Sequence, residues 1–261
     1  MTDCHDPMTA SPVPSLPAGR TLVAVATYNE IENLPILVAE VFRWLPQADI
    51  LVVDDNSPDG TGRWCDEQSG RDPRLKCLHR PAKLGLGTAT VAAFEYALQH
   101  GYEFVITMDA DLSHPPQYLP RLLAGMDPPG RPPRDVMIGS RYVRGGRIEG
   151  WPLRRHLMSR AINAYARWLL RLKPRDCSGA FRCYRTKALR QIDFTAIRSG
   201  GYSFQEEILW RLQRAGAQIG ETPITFVDRQ KGRSKIDLQE GLTALRTLFW
   251  LAWEAGGSPK R

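Results

Sequence analysis

Residues 104–116, FVITMDADLSHPP, decide the fold. Phe104 to Met108 read as a buried strand, which then runs into Asp109, Asp111, Ser113, His114 and two prolines. Residues i and i+2 of a strand project to one face, so a strand that persists to Asp111 sets the two carboxylates side by side. Like charges so placed destabilise the fold unless a cation lies between them. Hard oxygen donors suit Mg2+ or Mn2+, and Mg2+ commonly uses one or two carboxylates together with substrate phosphates. The alternative is two unrelated surface aspartates in a turn before Pro115.

Working outward, the same pattern recurs. Strands are expected over 21–26, in ADILVVDDNS (48–57), in LKCLHR (75–80), in EFVITMDAD (103–111) and in DVMIGSRYV (135–143). Helices are expected between them over 31–45, 60–70, 87–101 and 116–126, the first with Ile31, Leu34, Leu37, Val38, Val41, Phe42 and Leu45 at helical spacing. Strands alternating with helices imply an α/β fold with a mainly parallel sheet, whose ligands bind beyond the carboxyl ends of the strands. Those ends carry Tyr28, Asn29 and Glu30; Asp54 and Asp55; Asp109 and Asp111; and Ser140 and Arg141. Further helices are expected over 151–172, 204–216 and 238–255, with DCSGAFRCYR (176–185) as strand or loop and a strand over 217–229. Residues 1–19, rich in Pro and Ser, read as a disordered tail. The final apolar stretch, Leu242 to Ala255, contains Arg246 and Glu254 and falls short of the roughly 20 residues that span a bilayer. It reads as a core-packing or interfacial helix.

These strand ends suit a nucleotide. Tyr28 can cover a base, and the carboxylates of Glu30 and of the Asp54-Asp55 pair can accept from base N–H groups. In KLGLGTA, Lys83 can meet a diphosphate before a glycine loop that leads into a helix N-terminus. As a dinucleotide fingerprint Gly85-x-Gly87 is incomplete, because the third glycine is absent.

The chain has 261 residues, 43% hydrophobic and 24% charged, enough to bury a core without disulfides. Its five cysteines are scattered and no pair has metal-site spacing. With no secretory signal near the start, they read as reduced thiols in a cytosolic protein. The net charge of +7 is uneven. Residues 131–190 hold sixteen Lys and Arg against Asp135, Glu149 and Asp176, which is +13 and leaves −6 elsewhere. Such a block suits nucleic acid, an anionic membrane surface or a phosphate-bearing substrate. No aromatic-rich RNA motif accompanies it, which argues against nucleic acid.

The motifs TYNEIENL, VVDDNSPDGT, LGLGTA, DADLSHPP, GSRYVRGG, WPLRRHLMSRAIN, DCSGAFRCYR, GYSFQEEI and FVDRQKGRSKI occur in the order seen in dolichol- or polyprenol-phosphate mannose synthases. From about residue 21 to 240 the sequence resembles this group of inverting family 2 glycosyltransferases, in the form without transmembrane segments. The resemblance implies a GT-A fold with a mainly parallel twisted sheet, a catalytic domain over 20–240 and a C-terminal apolar helix and tail over 241–261. It implies transfer of mannose from GDP-mannose to a polyprenyl or dolichyl phosphate with inversion, giving a β-mannosyl phosphoryl polyprenol. A UDP-glucose-dependent glucosyltransferase is the close variant. A non-catalytic basic membrane- or nucleic-acid-binding protein is the reading from another class.

Carried over residue by residue, Ala26, Tyr28, Glu30, Val53 and Asp55 match donor-nucleotide positions. Asp109, Ala110 and Asp111 match the Asp-x-Asp motif for sugar nucleotide and Mg2+ or Mn2+. Ser113 takes a third metal position that is often Gln in relatives, and its hydroxyl is a shorter and weaker ligand. Arg141, Arg155 and Ser159 match the acceptor-phosphate region. Arg229 and Lys235 match a loop that closes over the donor phosphates. Asp111 and Arg141 are the catalytic candidates, and no histidine is assigned as a base. A phosphate monoester, with a second pKa near about 6, is already largely dianionic at neutral pH. The lipid acceptor implies peripheral association with the cytoplasmic face of an anionic membrane, and a small membrane subunit is a further partner in the group. The basic helix over 151–172, with Trp151, Leu153, Leu157, Trp168, Leu169 and Leu170 among its arginines, suits such an interface.

Overall fold

The structure, a computed structural model, describes residues 16–199, 201–228, 248–251 and 253. Its strands and helices run in chain order as β1 Thr21–Thr27, α1 Leu34–Trp44, β2 Asp49–Asp54, α2 Thr61–Ser69, β3 Leu75–His79, α3 Leu86–Gln99, β4 Phe104–Asp109, α4 Leu119–Ala124, β5 Val136–Ser140, β6 Arg147–Glu149, α5 Leu153–Leu170, β7 Arg182–Arg185, α6 Thr186–Leu189, α7 Phe204–Arg214, β8 Ile219–Pro223 and β9 Thr225–Val227. The main sheet has the order β3-β2-β1-β4-β7-β5-β8. All neighbours are parallel except β7, which runs antiparallel to both β4 and β5. From β1 the chain winds outward to β2 and β3, then returns to place β4 on the opposite side of β1. The switch point of the sheet therefore lies between β1 and β4, where a doubly wound fold opens its ligand crevice.

Strand alternation divides the core. Leu22 and Ala24 of β1 face a cluster with Ala89, Ala93 and Phe94 of α3 and Phe204 and Ile208 of α7. Val23 and Val25 face the other side, with Leu34, Leu37 and Val41 of α1, Cys65 of α2 and Leu122 of α4. Both faces of the central strands are covered, so their sequences read as continuous apolar runs.

Three departures from the sequence expectation bear on the site. The helix expected from Ile31 begins at Leu34, because the amides of Asn33 and Leu34 first turn back onto the Glu30 carbonyl, and a proline then enters the first turn. The strand expected over 217–229 is two strands. β8 ends at Pro223, the Ile224 amide bonds to the Ser140 carbonyl, and β9 pairs with β6, a three-residue strand the sequence did not announce. Most consequentially, β4 ends at Asp109, so Asp111 does not extend the pleat.

In the last helix, Leu248 and Leu251 are buried in the core while Phe249 and Trp253 are exposed. Among the described residues no helix is long and apolar enough to cross a membrane.

Candidate active site

Sheet register assembles the first part of the site. Ala26 of β1 lies beside Val53 of β2 on one side and Asp109 of β4 on the other. A small cavity over this row is lined by Ala26, Val53, Thr107, Asp109, Ala180 and Gln205. The turn after β1 carries Asn29 at φ 62°, a left-handed value that asparagine tolerates. Beyond it, Glu30 donates its amide to Thr61 Oγ1 (3.0 Å) and accepts from Asn33 Nδ2 (2.8 Å). The Lys83 ammonium sits 4.3 Å from the centre of the Tyr28 ring. Lys83 and Tyr28, 55 positions apart in sequence, are thus brought together.

Asp54 and Asp55 separate into two jobs. Asp54 is an internal brace that accepts from Thr27 Oγ1 (3.1 Å) and from the Ser57 amide (3.0 Å). Asp55 forms a buried ion pair with Arg80 and accepts from the amides of Leu84 (3.2 Å) and Gly85 (3.4 Å). Arg80 also donates to Thr88 Oγ1 (2.6 Å) and to the Gly85 carbonyl (3.1 Å). This pair moulds the glycine loop at the start of α3. Arg80, inside the expected strand LKCLHR, was missed because an arginine ending a strand looks like an ordinary surface charge.

The Asp-x-Asp turn is held from several directions. The Asp109 amide donates to His114 Nδ1 (3.2 Å), so the neutral imidazole carries its proton on Nε2. That ring is buried, stacked on Phe181 and edge-on to Phe226. Burial lowers its pKa more than Asp109 and Asp111 raise it, so His114 stays neutral. It shapes the turn. The Ser113 amide donates to Asp111 Oδ1 (3.1 Å) and its carbonyl accepts from Val227 (3.1 Å). Between them Leu112 stands at φ 61°, where a leucine is strained. Asp109 and Asp111 therefore flank a tight turn and are not successive residues of a strand. Ser113 Oγ is buried and has no hydrogen-bond partner among the described residues. A buried hydroxyl lacking a partner beside two carboxylates fits a hard-cation donor set.

The acceptor candidates converge from β5 and α5. Arg141 is buried and grips Asp176 through Nε (2.8 Å) and Nη2 (2.7 Å), with Nη2 also reaching Ser178 Oγ (2.9 Å). Burial pushes the Asp176 carboxyl upward, but the charge and hydrogen bonds of Arg141 outweigh it and hold the group below its ordinary value. Arg155, Ser159 and Asn163 follow at four-residue spacing on α5, one face of a helix. Ser159 Oγ meets the Tyr142 hydroxyl at 2.7 Å, and Asn163 Nδ2 meets Ser178 Oγ at 3.0 Å. Arg155 donates to Asp228 (2.9 Å) and lies 4.1 Å from the Trp151 ring centre. Its Nε is buried without a partner among the described residues. Arg141 and Ser159 are thus joined through Ser178 and Asn163, and Arg155 comes near Arg141 over the Trp151 ring. Arg229 and Lys235 lie outside the described residues.

α7 supplies residues that sequence reasoning did not single out. Gln205, Glu206 and Glu207 are all buried. Glu207 is satisfied by Ser199, by the Arg198 amide and by Arg211. Arg182 is fully buried and ties Gln205 and Cys177 carbonyls together at 2.8 and 2.6 Å. The Gln205 Oε1 and Glu206 Oε2 atoms have no partner among the described residues. Burial pushes the Glu206 carboxyl from 4.5 up to about 7, with Asp176 adding to the rise and its own backbone, Arg182 and Arg141 opposing it. A carboxyl raised on folding stabilises fully below its unfolded pKa, and that contribution is lost as pH rises through the folded value. Glu206→Gln should therefore remove a stability loss of about 2–3 kcal/mol between roughly pH 5 and pH 8. Urea unfolding of both proteins at the two pH values checks it. Parallel losses in the variant and the parent would show that this carboxyl does not titrate in the window.

Comparison with known proteins agrees with this architecture. The model of the family "Glycosyl transferase family 2" matches residues 22–193. The chain is 46% identical over 221 residues to polyprenol monophosphomannose synthase of Mycolicibacterium smegmatis, covering 84% of this chain and 82% of that one. It is 45% identical over 217 residues to undecaprenyl-phosphate mannosyltransferase of Micrococcus luteus, covering 83% and 87%. Among solved structures, a mannosyltransferase of Pyrobaculum calidifontis in complex with GDP-Man and Mn2+ superposes with TM-score 0.62 at 16% identity, covering 98% of this chain and 70% of that one. Glucosyl-3-phosphoglycerate synthase of Mycobacterium tuberculosis, solved with Mn2+, UDP and phosphoglyceric acid, has TM-score 0.62 at 14% identity and covers 93% and 80%. The solved structures share the fold and the two sequence relatives share most of their length, so the chain belongs to glycosyl transferase family 2 and is a glycosyltransferase of GT-A fold.

Proposed function

We propose that this chain transfers mannose from GDP-mannose to a polyprenyl phosphate with inversion, giving β-mannosyl phosphoryl polyprenol. The observation that carries the reading is a juxtaposition. The Asp-x-Asp turn and the two arginines of the acceptor side are built from different elements but meet at β9: the Val227 amide holds the Ser113 carbonyl, Asp228 just beyond it accepts from Arg155, and Arg141 lies over the Phe226 ring. An anionic donor and an anionic acceptor then have adjacent places, one for each. The names of the two relatives, both mannosyl transferases to a polyprenyl phosphate, support the same substrates.

On the donor side, Tyr28, Glu30, Val53, Asp55, Lys83 and the Ala26 backbone would surround the nucleotide. Asp109, Asp111 and Ser113 would hold Mg2+ or Mn2+, which supplies charge neutralisation for the departing diphosphate. On the acceptor side, Arg141 and Arg155 would bring the lipid phosphate up against its own repulsion from the donor, arginine being suited to phosphate oxygens. Among the described residues Arg141 spends Nε and Nη2 on Asp176 and Ser178, which leaves Nη1 for the phosphate. The phosphate dianion attacks the anomeric carbon, the bond to the nucleoside diphosphate breaks, and no proton need be removed. A neutral His114 with Nδ1 committed to a backbone amide is consistent with that.

The lipid tail would be met by α5 turned outward. Leu153, Leu157 and Trp168 are 73%, 61% and 75% exposed, whereas Leu170 is core and Trp151 packs on Phe226. Large apolar side chains pointing outward among arginines suit the interface of an anionic leaflet, which supports peripheral association.

A screen of GDP-mannose and UDP-glucose against polyprenyl phosphate, with and without Mg2+ or Mn2+, tests the reading. Metal-dependent formation of a mannosyl lipid is expected. Preference for UDP-glucose would establish the glucosyl variant, and no transfer from either donor would overturn the proposal.

A further inference from the structure

The proposed transfer site leaves a second group of metal-ligating side chains unused. β3 is the edge strand of the sheet, and Cys77 and His79, two residues apart on it, share a face. α2 packs on that face and brings Asp66 to it. His79 Nε2 lies 2.8 Å from Asp66 Oδ1, and the carboxylate oxygen, imidazole nitrogen and Cys77 sulfur all lie within 4.8 Å of one another. The Cys65 thiol sits beside Cys77, and both belong to or pack on the same core cluster.

An exposed histidine–aspartate pair is worth little by itself, and it accounts for only two of the three groups. A thiol, an imidazole and a carboxylate offered to one point by a strand and a helix make the mixed donor set that Zn2+ takes. Bond lengths of about 2.0–2.3 Å to the metal place tetrahedral ligand atoms roughly 3.3–3.8 Å apart. The observed spacing reaches that with side-chain adjustments of about an ångström.

We propose that Asp66, Cys77 and His79 form a binding site for a borderline-soft divalent cation of the Zn2+ class, with water completing the coordination. The site is chemically distinct from the all-oxygen set of Asp109, Asp111 and Ser113, so the chain sorts two kinds of cation by donor softness. Binding forms a sulfur–metal bond as the Cys77 thiol releases its proton to solvent, and nothing is oxidised or reduced. Without an ion, the neighbouring Cys65 and burial raise the Cys77 pKa and keep it a thiol. The cation would supply the positive charge the thiolate lacks, so metal affinity and deprotonation are one event. The chain passes directly from His79 to Arg80, so an ion here would fasten the strand end from which Arg80 holds Asp55 and the glycine loop.

Co2+ reports on such a site without any assay of transfer. The full chain, stripped with chelator and kept reduced, is titrated with Co2+ in excess Mg2+. A thiolate-to-cobalt charge-transfer band should grow to saturation at one equivalent and disappear on adding Zn2+. Cys77→Ser should abolish the band. Asp66→Asn and His79→Gln, at exposed positions that spare the fold, should each weaken Co2+ binding by at least about tenfold. Asp111→Asn should leave the band unchanged. Absence of a band at one equivalent, its survival in Cys77→Ser, or unaltered affinity in both surface variants would overturn the proposal.

Discussion

Asp111→Ala should lower metal-dependent transfer by about a thousandfold while leaving the fold intact. Losing one preorganised group aimed at developing charge commonly costs a factor of about 100–1,000, and here the same change also removes a ligand from a small donor set. The fold should survive because Asp111 is half-buried in a turn beyond the end of β4, where it adds nothing to the sheet. Product formation at saturating Mn2+, measured alongside thermal unfolding, separates the two effects. Near-normal turnover with unchanged metal dependence would remove Asp111 from the metal site.

The second large effect concerns Arg141, and the structure changes how it must be tested. Asp176 is fully buried and leans on Arg141 for three hydrogen bonds. One comes from the backbone amide and survives substitution, but the charge does not. Arg141→Ala strands a buried carboxylate, a change that commonly costs about 3–5 kcal/mol, so lost activity in that variant would mix unfolding with chemistry. Arg141→Lys keeps the charge but loses the fork. With it, KM for the lipid phosphate should rise at least about tenfold, the scale of one charge-assisted hydrogen bond, while KM for the nucleotide sugar stays within about twofold. Unchanged acceptor kinetics in the lysine variant would take Arg141 out of the acceptor site.

Much of the architecture was legible because strands covered on both faces read as apolar runs ending in polar residues. The mainly parallel sheet follows from that pattern, whereas its order β3-β2-β1-β4 comes from the structure. What escaped was short or inverted. Three residues of β6 cannot display a period, and the single run over 217–229 hid a break at Pro223, where the chain loses an amide donor. The Asp-x-Asp spacing was read as strand geometry, whereas β4 ends at Asp109 and the two residues flank a tight turn. α7 was read only as a helix. Its Gln205, Glu206 and Glu207 are buried, with Ser199 and Arg211 receiving Glu207 and Arg182 bonded to the Gln205 carbonyl. Those partners are distant in sequence or belong to other motifs, and no local pattern announces them. α5 shows the reverse, with Leu153 and Leu157 outward and Asn163 inward.

Leu112 has a consequence for how the donor binds. Its left-handed backbone costs about 1–2 kcal/mol, and its side chain packs on the core below the sheet. Together with the His114, Asp111 and Val227 contacts, it fixes the turn in the ligand-free chain. The entropy of shaping that turn is then surrendered once, during folding, and association is spared it. A nucleotide sugar would meet a template instead of assembling one, and choice among donors would fall to whichever diphosphate geometry that rigid turn accepts.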